Sequence, residues 1–299
     1  MRKLFLLLLI LNAYVWAQPV TQPVPKDTVN LMPRCQRGDV QTYRMQVEVL
    51  FLNDEGKPNL VKNNRISYKQ LCLTNSPDSG LIYEIGIDSF VVGSVRPIGQ
   101  SGSGSFSLVD SISGQHFRSR YRSKIPVTGK CYDFGIPITK WPYMEAWEFV
   151  DDFLPAKIIE QLHYTVGKRL RKVGDTASVA WPKPICYSVP SIIKSSKVDQ
   201  KPFKLKLTGI TANQGAPYAT ISFTSAVSPY RVVMDTPDTT VFNAVGTSQI
   251  TGEFQVSLKN GHIVSAKMSE RLDTEITETG VPVRKNRVIK NTELVPLIR

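Results

Sequence analysis

Every second residue is apolar along Tyr43, Met45, Val47, Val49 and Phe51, with Arg44, Gln46 and Glu48 between them. Alternation of this kind predicts a half-buried β-strand. Asn53-Asp54-Glu55-Gly56-Lys57-Pro58 supplies turn residues after it. A second strand is expected near Arg65–Leu73. A third, near Leu81–Val92, carries Leu81, Tyr83, Ile85 and Ile87 on one face, and the order suggests an antiparallel meander. The period changes over Trp141–Val166. There Met144, Trp147, Val150, Leu154, Ile158 and Leu162 recur every three or four residues, the stripe of a helix. Glu145, Glu148, Asp151 and Asp152 come early, and Lys168, Arg169, Arg171 and Lys172 follow the end. This polarity complements the helix dipole, so the acids are expected on the surface. Pro155 is expected to divide the stripe into two short helices.

Strand patterns return near Thr176–Trp181, Phe203–Thr211, Ala219–Thr224, Gln249–Leu258, His262–Arg271 and Val283–Leu294. Lys259-Asn260-Gly261-His262 is the clearest hairpin signal, with Asn-Gly suited to a type I′ turn. Gly38-Asp39-Val40 and Gly174-Asp175-Thr176 each open a β-rich stretch, as a duplication or as a common turn met twice. The fold class is therefore mainly β, of the α+β kind: curved antiparallel sheet in two β-rich halves, 35–140 and 173–299, with a helical insert near 141–166 inside the segment 141–172.

The N-terminus stands apart from this pattern. Arg2 and Lys3 precede the apolar run Leu4–Leu11, and Val15-Trp16-Ala17 has the form of a cleavage site. Residues 1–17 are expected to be a secretory signal peptide, with an uncleaved anchor as the bland alternative. Pro19, Pro23, Pro25 and Pro33 mark 18–34 as an extended linker. The mature chain carries no other segment apolar enough to span a bilayer, so it is expected in the periplasm or outside the cell.

Export reframes charge and cysteine. The 299 residues carry 37 Lys and Arg against 25 Asp and Glu, a formal charge of +12. Two of the positive charges lie in the leader and the rest are dispersed, which argues against a nucleic-acid partner. Cys35, Cys72, Cys131 and Cys186 allow two disulfides in three connectivities, or remain buried thiols.

Chemistry is sparse. In His116–Lys124, a strand would place Arg118, Arg120, Arg122 and Lys124 on one face, a row able to meet an anionic envelope surface. The competing reading is a solvated edge guarded by charge. The basic clusters 167–172 and 283–290 have the same solvated reading. Gly99–Ser105 lacks the spacing and lysine of a phosphate loop. Ser191-Ile192-Ile193-Lys194 matches S-x-x-K but has no partner motif. His116, His163 and His262 form no metal-binding pair, so no metal or other cofactor is expected. His163 is expected to be structural and His262 exposed.

The leader ending at Ala17-Gln18, Gly38-Asp39-Val40-x-x-Tyr43, Val173-Gly174-Asp175-Thr176 and Gly252-x-Phe254 with Lys259-Asn260-Gly261 together resemble a family of uncharacterised secreted bacterial β-rich proteins, a domain of unknown function. The resemblance implies a fold type and an envelope location, and brings no catalytic residues. A more distant similarity is to periplasmic lipoprotein carriers, whose curved sheet wraps helices and shelters an acyl chain. The expected function is non-catalytic: binding a lipid-like ligand or an envelope protein through Trp141, Met144, Trp147, Leu154 and Ile158 in the sheet's concavity. The alternatives are a hydrolase of envelope polymers, and an assembly factor that uses the basic strand.

Overall fold

The computed structural model describes residues 28–76, 80–100, 104–121, 143–180, 193–199, 201–213, 216–235, 241–278 and 280–297. The elements are β1 (Val40–Leu52), β2 (Pro58–Ser76), β3 (Gly80–Gly93), β4 (Arg96–Pro97), β5 (Phe106–Leu108), β6 (His116–Tyr121), α1 (Tyr143–Val166), β7 (Thr176–Val179), β8 (Ile193–Val198), β9 (Phe203–Asn213), β10 (Ala216–Ser225), β11 (Ser228–Asp235), β12 (Val241–Ser257), β13 (Ile263–Glu278) and β14 (Val281–Pro296). All the described strands belong to one sheet, whose main path runs β5-β3-β2-β1-β14-β13-β12-β10-β9-β7, with β4 on β2, β6 on β3, β11 on β12 and β8 on β11. It is antiparallel, open and curved, a mainly β fold with a helical insert. The two β-rich parts share it, because β1 and β14 pair from Tyr43–Pro296 to Phe51–Val288.

The alternation seen in the sequence decides which side chains line the inside. Tyr43, Met45 and Val47 are buried while Arg44 and Gln46 are exposed. Ile66 and Tyr68 of β2, Ile85 and Ile87 of β3, and Phe254 and Val256 of β12 continue the inner face. The outer face carries cross-strand ion pairs, Lys267–Glu293, Lys285–Glu275 and Arg287–Asp273. Such pairs contribute only tenths of a kcal/mol each at a surface.

α1 lies against the concave face. Phe149 and Phe153 stack with ring centroids 5.3 Å apart. Tyr68 and Phe117 meet Phe153 edge-on, and Phe90 meets Phe149 likewise. The helix is continuous through Pro155, contrary to the expected break. Proline has no N–H, so the carbonyl of Asp151, four residues earlier, loses its helical partner. Lys290 of β14 reaches across and donates to that carbonyl at 3.4 Å and also to the Asp151 carboxylate. An ammonium from the sheet thus replaces the missing backbone donor.

The end of the expected linker is built into the body. Leu31 is 0% exposed. Val29 N–H donates to the Arg171 carbonyl at 2.8 Å, and Arg34 N–H to that of Asn260 at 2.8 Å. The segment Val29–Cys35 is therefore a strap across the C-terminal end of α1. The β12–β13 turn that receives it is longer than the expected two-residue loop. Ser257 N–H bonds the His262 carbonyl and Gly261 N–H bonds that of Ser257. Gly261, at φ +69°, approaches the strap so closely that a Cβ there would lie 2.0 Å from the Met32 carbonyl oxygen.

The Gly-Asp echo extends to hydrogen bonds. Asp39 accepts from Gln36 N–H at 2.7 Å, and Asp175 from Lys172 N–H at 2.8 Å. Gly38 and Gly174 have φ of 95° and 98°. Gly38 N–H donates to Cys72, whose N–H returns to Asp39; Gly174 N–H donates to Leu207, whose N–H returns to Asp175. The same turn thus launches β1 beside β2 and β7 beside β9.

Candidate functional site

The helix carries two polar belts; Asp152, Lys157, Glu160 and their partner Lys290 are buried, while Asp151 is exposed. In the first, Glu148, Asp151 and Asp152 face Lys62, Asn64 and Lys290. Lys62 pairs with Glu148, and Asn64 Nδ2 donates to Asp152 Oδ2 at 2.5 Å. Lys290 stands 3.7 Å from Asp152 and is 5% exposed, while Asp152 is 2% exposed. Two surface expectations therefore fail. Asp152 is not dipole-compensating surface charge, and Lys290 does not share the solvated face of the 283–290 cluster. On β14 the even-numbered residues turn inward, which carries Lys290 into the belt with Val288, Thr292 and Leu294. Burial pushes the Asp152 carboxyl up to about 6, against the lowering influence of Lys290 and Asn64. Burial alone would lower the Lys290 ammonium, but Asp151, Asp152 and Glu270 outweigh it and hold the ammonium above its ordinary value.

The second belt lies one to two turns further along. Lys157 Nζ donates to Glu160 Oε2 at 2.7 Å, Gln70 donates to Glu160 Oε1, and Lys157 lies over the Phe153 ring. Burial lowers the Lys157 pKa, opposed by Glu160. A cavity of about 30 Å³ adjoins this belt, lined by Tyr43, Gln70, Tyr83, Glu160, His163 and His262 among others. That space has room for about two water molecules. His163 Nε2–H donates to the Leu31 carbonyl at 2.6 Å, and burial lowers its pKa to about 4. His163 is buried and ties the helix to the strap. His262 is half-buried beside the cavity instead of exposed, because the longer turn folds it back towards the strap. His116 is exposed and 3.5 Å from Glu84.

The expected ligand-binding stripe is placed only in part. Ile158 is 3% exposed and lies in the core, and Leu154 packs half-buried against it. Met144 and Trp147 lie on the helix, but their side chains and all of Trp141 fall outside the described residues. Phe149, Phe153 and Ile159, which form much of the inner helix surface, were not in the expected stripe; their burial follows from the sheet enclosing most of the helix.

Of the expected basic row, Arg118 is exposed on β6 and Arg120 pairs with Ile82 through the backbone; Arg122 and Lys124 lie outside the described residues. Arg118 sits opposite Glu84, and Lys69 pairs with Asp88 nearby. Glu84 thus sets an acidic side chain beside Arg118. Cys35 and Cys72 are buried with sulfurs 2.6 Å apart, while Cys131 and Cys186 lie outside the described residues.

Beyond the first belt the inner face changes character. Cross-strand register carries it from Lys62, Val49, Lys290 and Glu270 to the next row, Leu60, Phe51, Val288 and Leu272, and on to Ile276, Ala244 and Val232. Phe51, Leu60, Val232, Phe242, Leu272 and Ile276 are each half-buried, and none joins the core cluster. Polar groups are interspersed: Tyr230 crosses Gly246 to bond Thr274, and Ser248 donates to Glu270 at 2.9 Å. No cluster of His, Cys, Asp and Glu able to hold a metal appears among the described residues.

Fold and side chains define a class, an open antiparallel sheet closed around one helix by buried ion pairs, with an apolar inner face left above them. No protein-family profile matches the chain, and no curated protein matches it. A solved structure described as "Asymmetric conductivity of engineered proteins" covers 87% of this chain and 99% of its own, at 7% identity and a TM-score of 0.15. A likeness that low carries no argument.

Proposed function

We propose that this is an exported, non-catalytic envelope protein that binds an amphiphilic ligand on the inner face of its sheet, beyond the ionic belt. The observation that carries the reading is the group Phe51, Leu60, Val232, Phe242, Leu272 and Ile276: apolar, half-buried and outside the core. Apolar surface left out of a core has a cost that a ligand tail relieves, at about 25 cal/mol per Å² covered. The face is not purely apolar. Lys290 and Glu270 bound it on one side and Thr274 and Asn286 lie within it. A tail with a polar end suits that pattern better than a hydrocarbon alone. Export is supported by the leader-like residues 1–17.

Titration with a pyrene-labelled fatty acid tests the reading. Saturable binding is the expected result for the natural sequence. Leu272→Glu and Phe242→Glu are expected to weaken it at least tenfold with the circular dichroism spectrum unchanged. Absence of saturable binding to the natural sequence, or equal binding by both variants, would overturn it.

A further inference from the structure

The N-terminal strap meets the sheet at two cysteines. After Cys35 the chain turns through Gln36-Arg37-Gly38-Asp39, held by Gln36 N–H on the Asp39 carboxylate and Asp39 N–H on the Gln36 carbonyl. Gly38 and Asp39 then clamp Cys72 of β2 by both backbone groups, at 2.9 Å each. This lays Cys35 on Cys72, sulfurs 2.6 Å apart, both buried. Asn75 of β2 holds the strap from the same side, donating to the Pro33 and Cys35 carbonyls. The geometry is fixed by main-chain contacts on both sides of the pair.

We propose that Cys35 and Cys72 are joined as a disulfide that fastens the strap Val29–Cys35 to β2 and so holds the C-terminal end of α1 in the sheet. The proposal stands whether or not an amphiphile binds. The oxidant is an external disulfide, RSSR. One cysteine thiolate attacks it, giving a mixed disulfide and one RSH after proton transfer. The second thiolate then displaces the second RSH. Two electrons pass from the cysteines to RSSR, the Cys35–Cys72 bond forms, and the two thiol protons end on two RSH. Burial pushes the Cys72 thiol up to about 12, so the exchange proceeds while the strap is open, as during folding, and is slow once it is seated. The bond acts at a distance from the sheet's apolar face: Leu31 sits on His163, and Met32 against Gly167 and Gly261. Reduction therefore loosens the strap, the end of α1 and the β12–β13 turn together.

The full chain, refolded with a mixture of oxidised and reduced glutathione, is digested with trypsin without reductant. Residues 35–37 are expected to travel in mass spectrometry linked to residues 70–118. Reductant is then expected to lower the Tm of the natural sequence by about 5–10 °C more than that of Cys35→Ser. Hydrogen exchange at Leu31 and Arg34 is expected to quicken at least tenfold on reduction. Free Cys35 and Cys72, or either one linked to Cys131 or Cys186, would overturn the proposal. The peptide map uses the natural sequence, so the test stands even where Cys35→Ser fails to fold.

Discussion

Lys290 is the residue on which most of the buried electrostatics converges. It neutralises Asp151 and Asp152 and replaces the donor that Pro155 lacks. Removing one partner of a buried pair leaves the other charged and unpaired, which costs about 3–5 kcal/mol. Lys290→Met is expected to lose that much in urea denaturation. Pro155→Ala restores the N–H that bonds the Asp151 carbonyl, so the loss is expected to shrink by about 0.5–1 kcal/mol in that background. Additive losses would mean that Lys290 does not compensate for the proline. Acid response divides between two other buried groups. The folded His163 pKa is about 4 against 6.5 when unfolded. Between those values the unfolded chain binds the proton and the folded chain does not, so this stabilising contribution, full above 6.5, is lost as pH falls towards 4. Asp152 has the opposite sign: its folded pKa is about 6 against 3.8. Its contribution is greatest below 3.8 and is lost as pH rises through 6. His163→Gln is therefore expected to gain stability on going from pH 6.5 to pH 4.5 relative to the natural sequence, and Asp152→Asn to lose it, in denaturation curves at both pH values. Equal pH slopes for all three proteins would contradict the assignment.

At the scale of elements, the strands were legible and the helix's surroundings were not. Period-two alternation marked β1 because one side of that strand faces the core and the other faces water. The helix was legible as an element, but the three-to-four spacing implies one buried stripe. Here the sheet curves far enough that Ala156, Lys157, Ile158, Ile159 and Glu160 are all buried in succession. A helix enclosed on most sides has no single apolar face, so the surface expectation for Asp152 fails, and the buried roles of Lys157 and Glu160 have no signal in the stripe. The sheet partners, Asn64, Gln70 and Lys290, lie roughly ninety to a hundred and forty residues away in the chain. No local pattern reports them. The strap shows the same limit. Its prolines and polar residues have a linker's composition, yet its backbone bonds α1's end and the β12–β13 turn. Glycine substitutions separate the two kinds of turn. Gly261→Ala is expected to cost at least about 3 kcal/mol, since the left-handed φ and the Met32 carbonyl both oppose a Cβ. Gly174→Ala meets the same φ restriction but no neighbour within 4 Å, and is expected to cost about 1 kcal/mol. Thermal denaturation of the two variants checks the ranking.

For the whole molecule, the filled and unfilled parts of the concavity matter most. One region holds α1, its aromatic stack and two ionic belts. The next region of the same inner face carries apolar side chains that the core does not use. Among the described residues, charges of both signs alternate on the outer face of β13 and β14, and Glu84 lies opposite Arg118 on the basic strand. A ligand on the inner face is the reading that uses the apolar side chains the core leaves free. The most direct measurement is mass spectrometry of organic extracts from the natively purified protein, beside the Leu272→Glu variant. The account predicts an amphiphile near one equivalent with the natural sequence and its loss from the variant. A natural protein free of amphiphile, or a variant that retains it in equal amount, would contradict the account.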